Sequence, residues 1–485
     1  MDNAPIDLKA RARQAMTAAG FQPDFPPEVI REVQQPRTPP IAAGPALRDL
    51  RSLPWSSIDN DSSRDLDQVE YAEKLPDGAV RVLVGIADVD ISVPANSATD
   101  KYAARESTSV YTGVATFPML PNELSTVQTS LLQDQERASL VIELHVLDSG
   151  EVDCHDLYPA LIRNVAKLAY HATGDWLEGR APVPPPIAAV PGMDAQIRLQ
   201  LDAARKLRAL RKQNGALTFG SVEATPVVRN GEVTDLTVNR HTVAEDLIES
   251  FMVAANVAMA QFLREKGSPS IRRVVRTPRR WDRIQAIAAA FGTKLPDTPD
   301  PRALSAFLEQ RRQSAPEKFQ DLSLCVVKLL GPGEYIVEAP GSEHEGHFGL
   351  AVNDYTHSTA PNRRYADLIT QRLLKAAAAK TASPYPQADL AAIAAHCTDR
   401  EDAARKVERL MRKVAAASSL SHRIGETFDG VVTGASPKGT YVRLMQFPAE
   451  GRVVRGAQGI DVGDKVRVRL ASVNIAQGFI DFEKV

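Results

Sequence analysis

Hydrophobic residues in this chain fall at helical spacing near the start, at strand spacing next, at helical spacing through the middle, and in short strand-like runs at the end. Leu8, Ala12, Ala15, Met16 and Ala19 recur every three or four positions, and Gly20 supplies a stop. Pro26 and Pro27 open a second short helix through Val29, Ile30 and Val33, and Pro36, Pro39 and Pro40 mark a linker. This opening segment reads as a small helix-turn-helix-like module or as a packing appendage. From Trp55 the pattern changes to strands. Residues 69–71 lead into the turn Pro76-Asp77-Gly78, and Val80, Val82, Leu83, Val84 and Ile86 form a buried strand, which together make a hairpin. Residues 140–147 make another strand, and the prolines between 182 and 191 a surface connection.

Helices follow at about 195–213 and 246–263, the second with Ile248, Phe251, Met252, Ala255 and Met259 on one face. Pro361 precedes a helix carrying Tyr365, Leu368, Ile369 and Leu373, and a long helix spans about 389–419. Four short strands, 427–432, 440–444, 465–470 and 478–482, are punctuated by glycines and suit a small barrel.

At 485 residues the chain is too long for one core. Hydrophobic content of 44% and charged content of 24% are those of a soluble globular protein. No membrane-spanning apolar run or signal-peptide core is read from the sequence. Cys154, Cys325 and Cys397 lack metal-ligand spacing, which suggests a reducing cytoplasm. The net charge of −2 does not announce a nucleic-acid partner, but acidic and basic sites cancel in such a sum. The helix at 195–213 is locally basic, with Arg198, Arg205, Lys206, Arg208, Arg211 and Lys212; it is a solvated face or a track for a phosphate backbone.

Two segments carry chemistry. Asp59, Asp65 and Asp67 crowd into residues 57–68, ahead of the hairpin. Asp and Ser favour solvated turns, so the segment alone has a bland reading. A buried carboxylate cluster is tolerable when a divalent cation offsets the repulsion, and Mg²⁺ is commonly held by such carboxylates together with substrate phosphates. Asp65 and Asp67, two apart on an extended chain, face the same side. Far along the chain, Arg363 and Arg364 fall in the expected first turn of a helix, where cations oppose the helix dipole. Their placement suggests a phosphate site, or, for Arg364 above all, an ion pair with Asp367. Carboxylates plus arginine point to metal-assisted phosphodiester hydrolysis.

These residues resemble the RNB family of exoribonucleases, the ribonuclease II and ribonuclease R group, over about residues 50–485. The likeness rests on the acidic motif; on Ile86-Ala87-Asp88-Val89, Thr108-Ser109-Val110-Tyr111, Pro118-Met119-Leu120-Pro121 and Leu124-Ser125; and on Gly215-Ala216-Leu217-Thr218-Phe219. It continues through Ile248-Glu249-Ser250-Phe251-Met252 with Ala255-Asn256, then His347-Phe348-Gly349-Leu350, and residues 355–367. The resemblance implies an α+β fold: a short helical segment (1–45), a large mixed catalytic domain with a central RNA channel (46–424), and a small all-β OB barrel (425–485). It further implies processive 3′→5′ hydrolysis of single-stranded RNA to nucleoside 5′-monophosphates with Mg²⁺, for which Mn²⁺ can substitute. Beside it, the sequence reading expects a cytoplasmic monomer with no membrane partner.

By the same resemblance, Asp59, Asp65 and Asp67, with Gln68, hold metal, and Arg363 is the catalytic arginine beside them. Tyr111 and Phe219 clamp the terminal bases, Tyr170 and Glu249 sense ribose, and Arg364 contacts substrate. Asp88 is a carboxylate behind the metal site or a hydrogen-bond acceptor at a strand end, with the latter preferred. Three departures stand out. Gln68 replaces the second of paired aspartates, which predicts a weaker metal site and a need for more Mg²⁺ or for Mn²⁺. Asn362 replaces the usual Ile. About 50 residues precede the catalytic domain, too few for the two cold-shock barrels of larger members, which predicts a looser hold on RNA and closer approach to a duplex. In the barrel, Gly430 with Lys438-Gly439-Thr440-Tyr441-Val442 fits the resemblance, and Phe428, Tyr441 and Phe447 are candidate stacking faces. The rivals are an RNA-binding protein with decayed catalysis, favoured by Gln68, and an endonuclease or nucleotide phosphatase.

Overall fold

The structure is a computed structural model and describes residues 7–35, 47–219, 224–229, 232–238, 240–342, 345–436, 439–445, 447 and 449–485. Pro36, Pro39, Pro40 and Lys438 lie outside the described residues.

The central sheet is built around one long strand, Val152–Ala169. Its first part pairs antiparallel with Glu136–Val146, and its last part pairs parallel with Trp55–Asp59. Trp55–Asp59 then pairs with Gln68–Lys74, which pairs with Val80–Ala87, which returns to Glu136–Val146. The sheet therefore closes on itself through the long strand. Trp55, Ile58, Val69, Val82, Val84, Val141 and Ile142 are fully buried in it. Helices Met193–Gln213, Val243–Glu265 and Tyr365–Ala378 pack into that core, and the start of the long helix Gln387–Leu420 joins them.

Two expectations about helices need correction. Val243–Glu265 is long and apolar enough to cross a membrane by length and composition. It is instead a core helix, with Leu247, Phe251, Ala255 and Met259 fully buried. The arginines also precede their helix rather than opening it. Arg364 is the residue before the first turn of Tyr365–Ala378, so the expected clash with the helix dipole is reduced.

The N-terminal helices Leu8–Ala18 and Pro27–Gln34 form as the spacing predicts. Leu8, Ala12, Ala15 and Met16 pack with Val407, Met411 and Val414 of the long helix Gln387–Leu420, and with Val110 and Phe117. On the second helix, Glu32 accepts a hydrogen bond from Thr99 N (3.0 Å). The segment thus behaves as a packing appendage.

The long helix ends at the C-terminal barrel, which closes in the order Thr427–Ser436, Gly439–Leu444, Glu450–Arg455, Phe479–Lys484, Lys465–Asn474. Glu450–Arg455 escaped the sequence reading because one inward position is Gly451. A Cβ there would stand 2.5 Å from the Ile480 carbonyl oxygen and the Phe482 ring, so the strand has little apolar signal to offer. Phe428 is buried in the barrel core and Phe447 packs against it, so neither is a free stacking face. Tyr441 remains 39% exposed, and Phe479, not picked out from sequence, is 56% exposed.

Candidate active site

Strand register assembles the site. Asp59 ends its strand opposite Ala169, so Tyr170, the next residue, lies beside it. Residues 64–67 run extended into Gln68–Lys74, and Leu66 faces the core while Asp67 turns to the opposite side. Leu66 is pinned from both ends: its N–H donates to Ser130 Oγ (3.0 Å) and its carbonyl accepts from Leu131 N (3.0 Å). Ala87 N donates to the Asp67 carbonyl (2.9 Å), which fixes the carboxylate at the strand mouth.

The arginine arrives from the other half of the chain. Ser109 N donates to the Arg363 carbonyl (2.9 Å), stitching the Arg363 turn to the hairpin that carries Tyr111. Arg363 Nε lies 3.4 Å from Asp67 Oδ2, and Asn362 N lies 3.3 Å from Asp67 Oδ1. Asn362 is itself buried and accepts a hydrogen bond from Thr129 Oγ1 (2.6 Å), so its polar side chain helps set this turn. Tyr111 is held by its backbone N–H on Glu408 of the long helix (3.0 Å).

Asp59, Asp65, Asp67, Gln68, Tyr111, Tyr170, Glu249 and Arg363 line one cavity of about 560 Å³. Burial pushes the Asp67 carboxyl up to about 7; Arg363 opposes that shift and Asp65 adds to it. Burial likewise raises Asp59, although Asn60 N and Ser63 Oγ donate to its carboxylate (2.7 and 2.9 Å). Burial also raises the Tyr111 and Tyr170 hydroxyls, so both rings stay neutral. The described side chains bring one long arginine contact to Asp67. Carboxylates sharing a cavity with so little neutralisation fit a hard divalent cation, and the oxygen donors of Asp59, Asp65, Asp67 and Gln68 suit Mg²⁺ or Mn²⁺.

Other expected residues lie elsewhere. Arg364 donates to both oxygens of Asp367 (2.8 and 2.7 Å), and Asp367 also accepts from Ala360 N (2.8 Å). Asp367 is fully buried, and the pair locks the helix start, as the spacing of Arg364 and Asp367 allowed; Arg364 does not line the carboxylate cavity. Asp88 is buried against Lys375 Nζ (3.0 Å), a strand-end acceptor in an ion pair rather than part of the cavity. Phe219 packs beside the helical cluster of Leu304, Phe307 and Phe319 and lines a second cavity, of about 480 Å³. Tyr111 and Phe219 thus stand in separate cavities that share His241 and Glu249.

His241, which no sequence pattern marked, bonds Asp246 (2.7 Å). His241, Asp246 and Glu249 bring ligand-type atoms within 4.8 Å of one another. Asp246 is already engaged by His241 and Arg208, and Glu249 faces Arg211, so protein cations neutralise this cluster.

The chain is 30% identical to ribonuclease R of Thermotoga maritima over 447 residues, covering 89% of this chain and 61% of that protein. It is 28% identical to ribonuclease R 1 of Lactococcus lactis, covering 95% and 59%. It thus spans about three fifths of the length of these curated relatives. In fold it superposes on Mycoplasma genitalium RNase R, solved in complex with ribose-methylated single-stranded RNA, with a TM-score of 0.89 at 22% identity, over 99% of this chain and 78% of that one. Residues 426–485 match the RNase II-type exonuclease C-terminal S1 domain, and residues 47–380 match the RNB domain, so the chain belongs to the RNB family.

Proposed function

We propose that this chain hydrolyses single-stranded RNA from its 3′ end, one nucleotide at a time and processively, releasing nucleoside 5′-monophosphates with Mg²⁺ or Mn²⁺. One observation carries the reading: carboxylates from residues 59–67, the Tyr111 hairpin, Tyr170, Glu249 and Arg363 are dispersed along the chain yet line a single cavity. Bound metal there would polarise the scissile phosphate and lower the pKa of water. Asp59, Asp65, Asp67 and Gln68 would hold the cation. Arg363, whose side chain is 44% exposed, is free to swing from its long contact with Asp67 to the negative charge that builds on phosphate oxygens. Tyr111, 43% exposed, offers a face to a base, a contact indifferent to sequence. Tyr170 and Glu249 place a hydroxyl and a carboxylate where a 2′-hydroxyl can be read.

A 5′-labelled RNA tests the direction of attack. The label should persist on a continuously shortening strand; early appearance of mid-length labelled fragments would indicate an endonuclease instead. Gln68 favours a second reading, a catalytically weakened RNA-binding protein. Tight RNA binding with no turnover in Mg²⁺ or Mn²⁺ would select it.

A further inference from the structure

Tyr111 and Arg363 reach the cavity from different parts of the chain, yet one short stretch holds them both. The helix Ala98–Glu106 ends at Ser107, which turns out of it with φ 60°, a left-handed conformation that its surroundings must impose. The Ser107 carbonyl then accepts from Tyr365 N (2.9 Å), and Ser109 N donates to the Arg363 carbonyl (2.9 Å). Val110 and Tyr111 follow at once and pair with Thr116–Phe117. A hairpin with strands this short has little stability of its own. Whatever fixes the exit of the helix therefore fixes the ring and the arginine together.

The N-terminal segment grips that exit. Gln22 is held at both of its backbone polar atoms: its N–H donates to Glu106 Oε2 (3.0 Å), and its carbonyl accepts from the Tyr102 hydroxyl (2.7 Å). Glu106 is buried, and Arg105 Nε takes its other oxygen (3.0 Å). Phe21 lies under the Arg400 guanidinium of the long helix, 3.6 Å from the ring centroid. Leu8, Ala12, Ala15 and Met16 belong to the same apolar cluster as Val110 and Phe117. Apolar contact adheres without direction. A buried carboxylate does impose direction, because it is costly unless donors meet it. The Gln22 N–H is such a donor, and it comes from 84 residues away in the chain.

We propose that Glu106 is a positioning residue for the reaction. Through Gln22 it makes the N-terminal segment the fixed support of residues 107–111, and so sets where Tyr111 and Arg363 stand relative to the carboxylates. Neither Gln22 nor Glu106 lines the cavity. The inference rests on the exonuclease reading and deepens it, by extending the machinery back to a residue ahead of the RNB domain. Loosening the support acts on both roles. A displaced ring stacks less well and raises KM, and a displaced arginine lowers kcat; a shift of about 1 Å can cost up to about 10²-fold.

Hydrogen exchange and steady-state kinetics on single-stranded RNA, for wild type, Glu106→Ala, Glu106→Gln and Tyr102→Phe, test this. In Glu106→Ala the Ser109 and Tyr365 amides should exchange about tenfold faster relative to those of the core strand Val80–Ala87, which report global stability. The same variant should lower kcat and raise KM, with kcat/KM down at least about tenfold. Glu106→Gln keeps an acceptor for the Gln22 N–H and should restore most of both. In a Tyr111→Ala background, Glu106→Ala should no longer raise KM, because the ring it positions is gone. Exchange that quickens uniformly, kinetics unchanged in Glu106→Ala, or a KM effect that persists in full without the ring would each overturn the inference and leave the exonuclease standing. If Glu106→Ala does not fold, Tyr102→Phe decides, since it removes only the hydroxyl on the Gln22 carbonyl. Local acceleration at Ser109 and Tyr365 supports the inference, and wild-type rates there refute it. Should wild type degrade no RNA, the exonuclease reading fails, and the exchange pattern alone decides on the support by the same two outcomes.

Discussion

Replacing Asp67 by Asn should stabilise the metal-free protein while abolishing turnover. The Asp67 side chain is almost wholly buried, and its contacts to Arg363 and Asn362 are long, 3.4 and 3.3 Å. Burial raises its carboxyl from 3.8 to about 7. Between those values the folded chain holds a proton that the unfolded chain has released, so stability falls as pH rises from about 4, and the loss is complete above about 7. At roughly 1.4 kcal/mol per unit, the ionised carboxylate costs at most on the order of 4 kcal/mol at pH 8 without metal. An Asn side chain carries no charge at either pH. Thermal unfolding in chelator should therefore place Asp67→Asn above wild type at pH 8, by on the order of a few °C, by about half as much at pH 5.5, and close to it only near pH 4. Added Mg²⁺ should raise wild type at pH 8 much more than the variant. A variant equal to or less stable than wild type at pH 8 in chelator, or a gap independent of pH, would refute the claim that this carboxylate is held at a cost that a cation relieves.

Three further outcomes follow from the geometry. Arg363→Ala should lower kcat by about 10²–10³ with little change in RNA affinity, since its guanidinium is expected to act where charge builds up; a loss confined to KM would contradict this. Gln68→Asp should lower the Mg²⁺ concentration needed for half-maximal activity, because a carboxylate replaces an amide at the cavity wall; an unchanged metal requirement would sink the idea that this position weakens the site. Asp367→Asn should destabilise the fold by roughly 3–5 kcal/mol, because it leaves the buried Arg364 guanidinium without its anion; an unaltered unfolding midpoint would show that Arg364 does not depend on the pair.

Much of the architecture was legible because periodicity is a local property. The hairpin around Pro76-Asp77-Gly78, the core helix Val243–Glu265 and the long helix Gln387–Leu420 all lie where spacing put them, within a few residues. The strand Val152–Ala169 was missed because it changes partners along its length, from Glu136–Val146 to Trp55–Asp59, so the environment of its faces changes midway. The carboxylates, Tyr111, Tyr170, Glu249 and Arg363 were named from sequence, and the structure brings them to one cavity. Arg363 shows the limit of that approach. Spacing offered Arg364 its pair with Asp367, but nothing local says that the neighbouring Arg363 meets Asp67, almost 300 residues earlier in the chain. Phe219 shows a second limit: residues 215–219 fold against the 348–350 turn, through the Leu217 N–H on the Gly349 carbonyl (2.9 Å), and that long-range contact sets its cavity.

The central claim is that this carboxylate and arginine cavity removes nucleotides from RNA with a divalent cation. Its most direct test measures mononucleotide release from a single-stranded RNA and from its DNA counterpart in Mg²⁺, for wild type and Asp67→Asn together. Nucleoside 5′-monophosphates from RNA, none from DNA, and none from either with the variant is the predicted result. Equal release by the variant, or release that survives removal of divalent metal, would place the chemistry somewhere other than this cavity.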